Sequence, residues 1–248
     1  MHAHEIDYEI FGDDMQGVSV TLDPGEGMRA EPGAMMWMEE GIEMSTSTGG
    51  GLMKGLKRAF GGESFFITSY LNAGRDRATV GFSADYPGKI IPVDLRRGEV
   101  LCQRDAYLCS AHGIEVTVAF TKRFGAGLFG GEGFILQRLR GDGLAFVHAG
   151  GHVLERLLGP GEVLRVDTGC IVGFEATVDY DIQMMKGVKT MLFGGEGLFY
   201  ATLRGPGKIW IQTTPFSRMA DRVMSAARGS KGEHKRFGSV IGGFFGGD

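Results

Sequence analysis

Three glutamates at one position of a repeated phrase are the first residues of this sequence that could do chemistry. Glu63, Glu132 and Glu196 each follow a Phe-Gly-Gly triplet. Three carboxylates brought together could hold a cation or share a proton. The interpretation that we favour is simpler: each glutamate accepts hydrogen bonds from the amides of its own turn. The phrases share only their glycine content with phosphate-binding loops, because no Gly-Lys-Ser or Gly-Lys-Thr follows them.

Histidine and cysteine give weaker signals of chemistry. His148 and His152 are four residues apart across Ala-Gly-Gly, so a hairpin turn there would bring their rings near a shared metal. Cys109 has only His112 nearby in sequence, and a Cys–His nucleophile requires spatial proximity. We therefore predict no metal, no cofactor and no catalytic residue. The three cysteines are interpreted as small buried hydrophobic residues: Cys102, Cys109 and Cys170.

The segments before the Phe-Gly-Gly phrases combine basic and apolar residues. Met53, Phe124 and Met191 are among the apolar members. The basic members are Lys54, Lys57, Arg58, Lys122, Arg123, Lys186 and Lys189. This combination is typical of a face that binds an anionic lipid surface or another protein. The alternative interpretation is that these are solvated Lys and Arg side chains over packed loops.

The spacing of these phrases indicates how the chain is organised. Their phenylalanines stand at positions 60, 129 and 193, which are 69 and then 64 residues apart. A second landmark, a glutamate in a Gly-rich opening turn, stands at 26, 99 and 162. Two landmarks that recur at nearly the same distance from each other predict one structural unit used three times.

The pattern within each unit predicts half-buried strands. Isoleucine and tyrosine alternate with charged residues at positions 6–10, and Ala34–Met38 is interpreted as an apolar strand. We predict closing hairpins from the strand pair 75–82 and 88–95, and from the pair 144–148 and 153–158. The fold class predicted is all-β, with three repeated units (about 22–95, 96–158 and 159–214) around a pseudo-threefold axis in one domain, 1–215. A short C-terminal helix (216–228) and a Gly-rich, weakly ordered tail (229–248) follow.

Composition limits the classes of function. The chain has 248 residues and a formal net charge of −4, so binding to nucleic acid is not expected. Its 43 glycines have no Gly-X-Y period, and 43% of residues are hydrophobic, which excludes collagen and disorder. With three cysteines, no visible signal peptide and no long apolar run, we expect a cytoplasmic protein.

Several phrases in order at the right spacing resemble the bacterial branch of the altered-inheritance-of-mitochondria protein family. They are the Phe-Gly-Gly-Glu phrases, the stretches 146–151 (FVHAGG) and 161–164 (GEVL), and residues 166–174 (VDTGCIVGF). The resemblance covers about residues 5–215. It implies a double-stranded-β-helix-like unit present three times, with a fold like that of the tryptophan RNA-binding attenuation protein. It also implies no assigned enzymatic activity.

Two functions are therefore carried forward. The first is a non-enzymatic β-scaffold that binds a partner protein or an anionic membrane surface through basic–apolar loops at one end, with homo-oligomerisation through the same loops. The second is a small-ligand or metal-binding β-barrel, or an enzyme of unidentified substrate, which requires an interior pocket with converging polar groups.

Overall fold

The computed structural model describes residues 2–47, 67–122, 134–184, 199–220, 222–224 and 226. Helix α1 follows Pro215, with helical residues at 216–220, 222–224 and 226. The strands within the described ranges are β1 (Asp7–Phe11), β2 (Gly17–Leu22), β3 (Gly27–Ala30), β4 (Met35–Met38), β5 (Ile42–Ser47), β6 (Ile67–Asn72), β7 (Ala78–Ser83), β8 (Gly88–Asp94), β9 (Val100–Gln103), β10 (Tyr107–Ala111), β11 (Glu115–Lys122), β12 (Phe134–Arg140), β13 (Leu144–Gly150), β14 (Val153–Leu158), β15 (Val163–Asp167), β16 (Ile171–Glu175), β17 (Asp179–Met184), β18 (Phe199–Arg204) and β19 (Gly207–Gln212).

The strands form four antiparallel sheets. The N-terminal sheet has the order β1-β2-β7-β4, and the C-terminal sheet has the order β15-β18-β17. Between them lie a first six-stranded sheet, β5-β6-β3-β10-β13-β8, and a second, β11-β12-β9-β16-β19-β14. The second order is the first with every strand number raised by six. The all-β content and the short C-terminal helix predicted from the sequence are confirmed.

Alternating burial explains why these segments are strands. In β2, Val18, Val20 and Leu22 are fully buried, whereas Ser19 and Thr21 between them are half-exposed. The same period of two recurs in β18, where Phe199, Ala201 and Leu203 are buried. Period-two burial places one face of these two strands in the core and leaves the other toward solvent.

The predicted closing hairpins are wrong. β7 belongs to the N-terminal sheet, where it pairs with β2 and β4, whereas β8 pairs with β13 in the first six-stranded sheet. Likewise β13 and β14 lie in different sheets, because β14 pairs with β19. Each turn carries the chain from one sheet to the next. Local alternation gives the strands but does not specify the distant partner on which each strand buries its apolar face.

Two hydrophobic clusters hold the sheets together. The first joins the N-terminal and first six-stranded sheets, with Phe82 and Phe146 among its fully buried members, and reaches Trp210 in the second six-stranded sheet. The other cluster joins the second six-stranded sheet to the C-terminal sheet through Phe134, Phe174 and neighbouring aliphatic residues. The second six-stranded sheet therefore contributes to both clusters. Burial of this apolar area, at roughly 25 cal/mol per Å², is the main stabilising term.

Candidate functional site

The three basic–apolar segments connect the ends of three antiparallel hairpins. The last paired residues are Ser47 with Ile67 in β5–β6, Lys122 with Phe134 in β11–β12, and Met184 with Phe199 in β17–β18. Lys122 is thus the final residue of β11. The other predicted surface residues lie outside the described residues: Lys54, Lys57, Arg58, Arg123, Lys186 and Lys189. The repeated glutamates Glu63, Glu132 and Glu196 also lie outside them.

The glutamates of the opening turns do not all occupy the same position. Glu26 and Glu162 donate their amides to the carbonyl three residues earlier, and their carboxylates accept the amide of that same residue, at 2.8 and 3.0 Å. In the remaining turn, the corresponding amide is that of Gly98, which donates to Leu95 O at 3.1 Å. Glu99 is one residue further on and its carboxylate binds Arg138 at 2.7 Å. The sequence landmark at position 99 is therefore offset by one residue.

The histidine and cysteine candidates are parts of the packing. Cys102 and Cys109 are fully buried, and burial raises the pKa of the Cys102 thiol to about 12. His112 stacks on His4 with ring centroids 5.2 Å apart, and its carbonyl accepts the His4 amide, which holds down the N-terminal segment. Among the described residues, no group of three or more His, Cys, Asp or Glu could hold a metal ion.

His148 is buried and packs against an aromatic ring rather than against His152. Its ring meets Tyr86 edge-on with centroids 4.6 Å apart, whereas His152 is exposed. Burial lowers the pKa of His148 to about 4, so the imidazole is neutral near pH 7. Its Nδ1 has no hydrogen-bond partner among the described residues.

A glutamate with a raised pKa, Glu31, lies directly after the last residue of β3. Glu31 is half-buried, and loss of solvation, followed by repulsion from Asp105, raises its pKa from 4.5 to about 7. Arg104 opposes this shift, and Asp85 adds to it. The Tyr86 hydroxyl donates to the carbonyl oxygen of Asp105 at 3.3 Å, which ties the loop before β8 to the same region. The sequence analysis missed this group because its members are distant in the chain.

The surface of the described part includes two hollows with charged walls. One, of about 410 Å³, is lined by charged residues that include Asp7, Arg77 and Asp142. The other, of about 630 Å³, has Tyr8 and Trp210 in its wall together with Arg97 and Glu175. Both are surface hollows whose charged groups are largely paired, as Arg77 is with Asp7 and Asp23.

Strand β4, at the edge of the N-terminal sheet, exposes three successive apolar side chains. Met36, Trp37 and Met38 are 50%, 36% and 41% exposed. The sequence analysis identified this segment as an apolar strand, and the structure places it at the edge of a sheet. At the edge of the C-terminal sheet, Val163 in β15 is 45% exposed. Exposed apolar side chains on an unpaired strand edge are a recognised feature of interaction surfaces.

In the described residues, no helix is both long enough and apolar enough to cross a bilayer.

The four antiparallel sheets, two of which combine strands from successive parts of the chain, define this molecule as a multi-sheet all-β protein. The chain belongs to the mitochondrial biogenesis AIM24 family, whose model matches residues 8–214. A relative from Streptococcus pyogenes serotype M6, an uncharacterised protein, is 26% identical over 212 residues, covering 82% of this chain and 83% of its own length.

A solved structure supports the fold. The X-ray crystal structure of a Streptococcus pyogenes protein, a structural-genomics target, matches with a TM-score of 0.75 and 21% identity. The match covers 90% of this chain and 100% of that one. At this identity the likeness shows the fold alone. The predicted likeness to the tryptophan RNA-binding attenuation protein stays a prediction.

Proposed function

We propose that this protein is a non-catalytic, cytoplasmic β-scaffold that binds an anionic membrane surface or a partner protein through its three basic–apolar segments. One observation carries the proposal: each segment starts and ends at the last paired residues of an antiparallel hairpin. The paired strands therefore give each segment two fixed ends on a sheet. Loops on rigid scaffolds are where binding residues concentrate.

A threefold repeat would bring the three segments to one end of the body. The strand order supports such a repeat. When twelve is added to each strand number, the order β5-β6-β3 becomes β17-β18-β15, which is the order of the C-terminal sheet. The β-bulges add support, since they interrupt β4, β10 and β16 at Met35/Trp37, Tyr107/Cys109 and Ile171/Gly173, which are strands six apart in number. Units related by rotation about one axis place equivalent hairpin ends on the same side.

The chemistry of the segments favours an anionic partner. The whole chain has a net charge of −4 and no overall attraction for an anionic surface. Seven Lys and Arg residues gathered at one end would supply about 1 kcal/mol each near an anionic membrane. Apolar neighbours such as Met53 and Phe124 would add burial at the interface.

Vesicle co-sedimentation tests the membrane version. We expect the protein to pellet with phosphatidylglycerol vesicles at low salt and to be released from them at high salt. It should not bind phosphatidylcholine vesicles. Replacing all seven basic residues by Gln should abolish pelleting. A matched control, Arg75→Gln with Arg204→Gln, removes exposed arginines elsewhere and should leave binding unchanged.

Failure of the wild-type protein to pellet at low salt would remove the membrane version. The partner-protein version then predicts that an interacting protein, recovered by cross-linking in cells, is lost with the same seven substitutions and kept with the arginine control.

The second candidate is binding of a small ligand, which the hollow of about 630 Å³ favours because two aromatic residues, Tyr8 and Trp210, share its wall with charged groups. Metal analysis of the purified protein and thermal-shift screening test it. Tyr8→Ala should abolish any ligand-induced rise in melting temperature, whereas a Tyr8→Ala variant that keeps the rise would exclude this hollow.

A further inference from the structure

The segment before β1, residues 2–6, is held against the body of the protein as an N-terminal strap. Its Ala3 amide donates to Asp142 Oδ1 at 2.7 Å. A Cβ added at Gly113 would come within 2.8 Å of Ala3 Cα, and one added at Gly143 would come within 2.6 Å of Ala3 Cβ. The two glycines therefore let the strap lie directly on the backbone of other parts of the chain, which fixes its path.

His4 links the strap to the first six-stranded sheet through both its backbone and its ring. The His4 amide donates to the carbonyl oxygen of His112, directly after β10, at 2.9 Å. The amide of Gly27, the first residue of β3, donates to Nδ1 of the His4 ring at 2.8 Å. Nδ1 accepts this hydrogen bond only when it carries no proton, so the docked strap requires a neutral His4 with its proton on Nε2.

The neighbours of the His4 ring disfavour a positive charge on it. It stacks on the ring of His112 with centroids 5.2 Å apart. The pKa of His112 is lowered first by burial, then by the Arg29 guanidinium, and then by His4. A proton on His4 would therefore add a charge beside a ring that already resists one, and it would also leave the Gly27 amide without its acceptor.

The carboxylates near the strap are engaged with other groups. The charged residues that line the hollow of about 410 Å³ together with His4 are Glu5, Asp7, Asp23, Glu26, Arg77, Arg96 and Asp142. Asp7 and Asp23 pair with Arg77, and Glu5 interacts electrostatically with Arg96. The Glu26 carboxylate accepts the Asp23 amide. Asp142 pairs with His2 at 2.6 Å, and because the His2 side chain is 99% exposed, solvent weakens this opposing attraction.

We propose that the N-terminal strap is a pH-sensitive device, docked when His4 is neutral and released when His4 is protonated. Release breaks the hydrogen bond from Gly27 and takes His4 and Ile6 out of the wall of the hollow of about 410 Å³. The hinge is Asp7, the first residue of β1, which stays paired with Thr21 of β2. Acidification therefore opens this side of the hollow.

The strap lies at the opposite end of β3 from the hairpin end of β5 and β6. Gly27, which the strap contacts, is the first residue of β3. The last residue of β3, Ala30, pairs with Thr68, next to the hairpin end at Ile67. The strap therefore acts independently of the function proposed above, and its test does not depend on vesicle binding.

The size of the effect follows from proton linkage. A released imidazole takes up a proton with an ordinary pKa of about 6.5, whereas the docked ring has no place for a proton at Nδ1. The equilibrium constant for release should therefore rise about 30-fold between pH 7.5 and pH 5.0.

Hydrogen exchange measured by mass spectrometry, corrected for the intrinsic rate at each pH, tests the proposal. The reporters are the amides of Ala3 and His4, which are both hydrogen-bonded in the docked strap. We expect them to exchange about 30-fold faster at pH 5.0 than at pH 7.5 after this correction, whereas the amides of β13 should stay protected at both pH values.

Two substitutions at His4 separate protonation from structure. His4→Asn places Oδ1 near the position of Nδ1, where it accepts the Gly27 amide at any pH, so the strap should stay protected at pH 7.5 and lose most of the rise at pH 5.0. His4→Ala removes the acceptor and should leave the strap released even at pH 7.5. His152→Asn replaces an exposed histidine elsewhere and should keep the wild-type rise.

Three results would overturn the proposal. The first is a wild-type strap whose corrected exchange is the same at both pH values. The second is the full rise in His4→Asn, because another group would then be the one that titrates. The third is wild-type protection of the strap in His4→Ala at pH 7.5.

Discussion

The indole ring of Trp37 lies over the backbone of Gly81, its partner in the register between β4 and β7. A Cβ added at Gly81 would come within 2.4 Å of Trp37 Cζ3. The same indole contacts Phe11, with ring centroids 5.6 Å apart. A large, partly exposed side chain is thus held flat on the sheet by a glycine, and it is this contact that fixes the outer face of β4.

Gly81→Ala should therefore displace Trp37 and loosen β4. We expect a loss of about 1–3 kcal/mol in the free energy of unfolding, because the added methyl group overpacks the contact. Urea unfolding measures the loss. Tryptophan fluorescence in a Trp210→Phe background should show a red-shifted Trp37.

Gly159→Ala is the matched control for this prediction. The nearest atom to a Cβ at Gly159 is Glu162 Oε2, at 3.8 Å, which is an ordinary contact. Equal destabilisation by the two substitutions, or an unchanged Trp37 spectrum in Gly81→Ala, would show that the indole–glycine contact does not hold the strand.

Asn72 should be among the most sensitive polar residues. It is fully buried, its Nδ2 donates to Leu22 O at 2.8 Å and to Asp76 O at 2.9 Å, and its Oδ1 accepts the Gly74 amide at 3.0 Å. Asn72→Ala leaves these groups without partners and should cost about 2–4 kcal/mol by thermal unfolding. Gln183→Ala, which removes an exposed amide, should cost much less.

Stability should depend on pH through Glu31. Its pKa in the folded protein, about 7, lies above the ordinary value of 4.5, so the folded state holds the proton more tightly. The stabilisation is complete below about pH 4.5 and is lost as pH rises through 7. Glu31→Gln should therefore raise the free energy of unfolding at pH 8 by about 2 kcal/mol, with no gain at pH 4.5.

Urea unfolding from pH 4.5 to 8.5 checks this expectation. His148 acts in the opposite sense, since its pKa is lowered to about 4 and its contribution is lost as pH falls from 6.5. The comparison is therefore made between Glu31→Gln and wild type at each pH. Glu115→Gln is the exposed control, and a pH-independent difference for Glu31→Gln would contradict the assignment.

The cysteines should differ in reactivity toward a thiol reagent. Burial raises the pKa of all three thiols, but Cys102 and Cys109 are fully buried whereas Cys170 is only half-buried. In the native protein, one thiol per chain should react with Ellman's reagent in the fast phase, and all three should react after unfolding. Cys170→Ser should remove the fast phase and Cys102→Ser should keep it; two fast thiols in native protein would be inconsistent with the packing.

Much of the secondary structure could be predicted, because strand alternation is a local property. The strands expected at positions 6–10, 34–38 and 144–148 follow directly from it and are present. The threefold repeat was predicted from phrase spacing and stays a prediction. Of the candidate site, the sequence supplied the basic–apolar segments, whose residues other than Lys122 lie outside the described ranges.

The sequence by itself determined an all-β chain and many of its strand positions, because strand alternation depends on residue types at short spacing. The family resemblance came from several phrases in order along the chain. Only the tertiary structure decided that β7 and β8 enter different sheets, that Gly98 takes the turn position of Glu26, and that Trp37 is exposed at an open edge. Pairing and exposure depend on which distant strand arrives beside a given one. Among the described strands, β10 has a neighbour on both sides and is buried, whereas β4 has one neighbour and exposes three of its four residues.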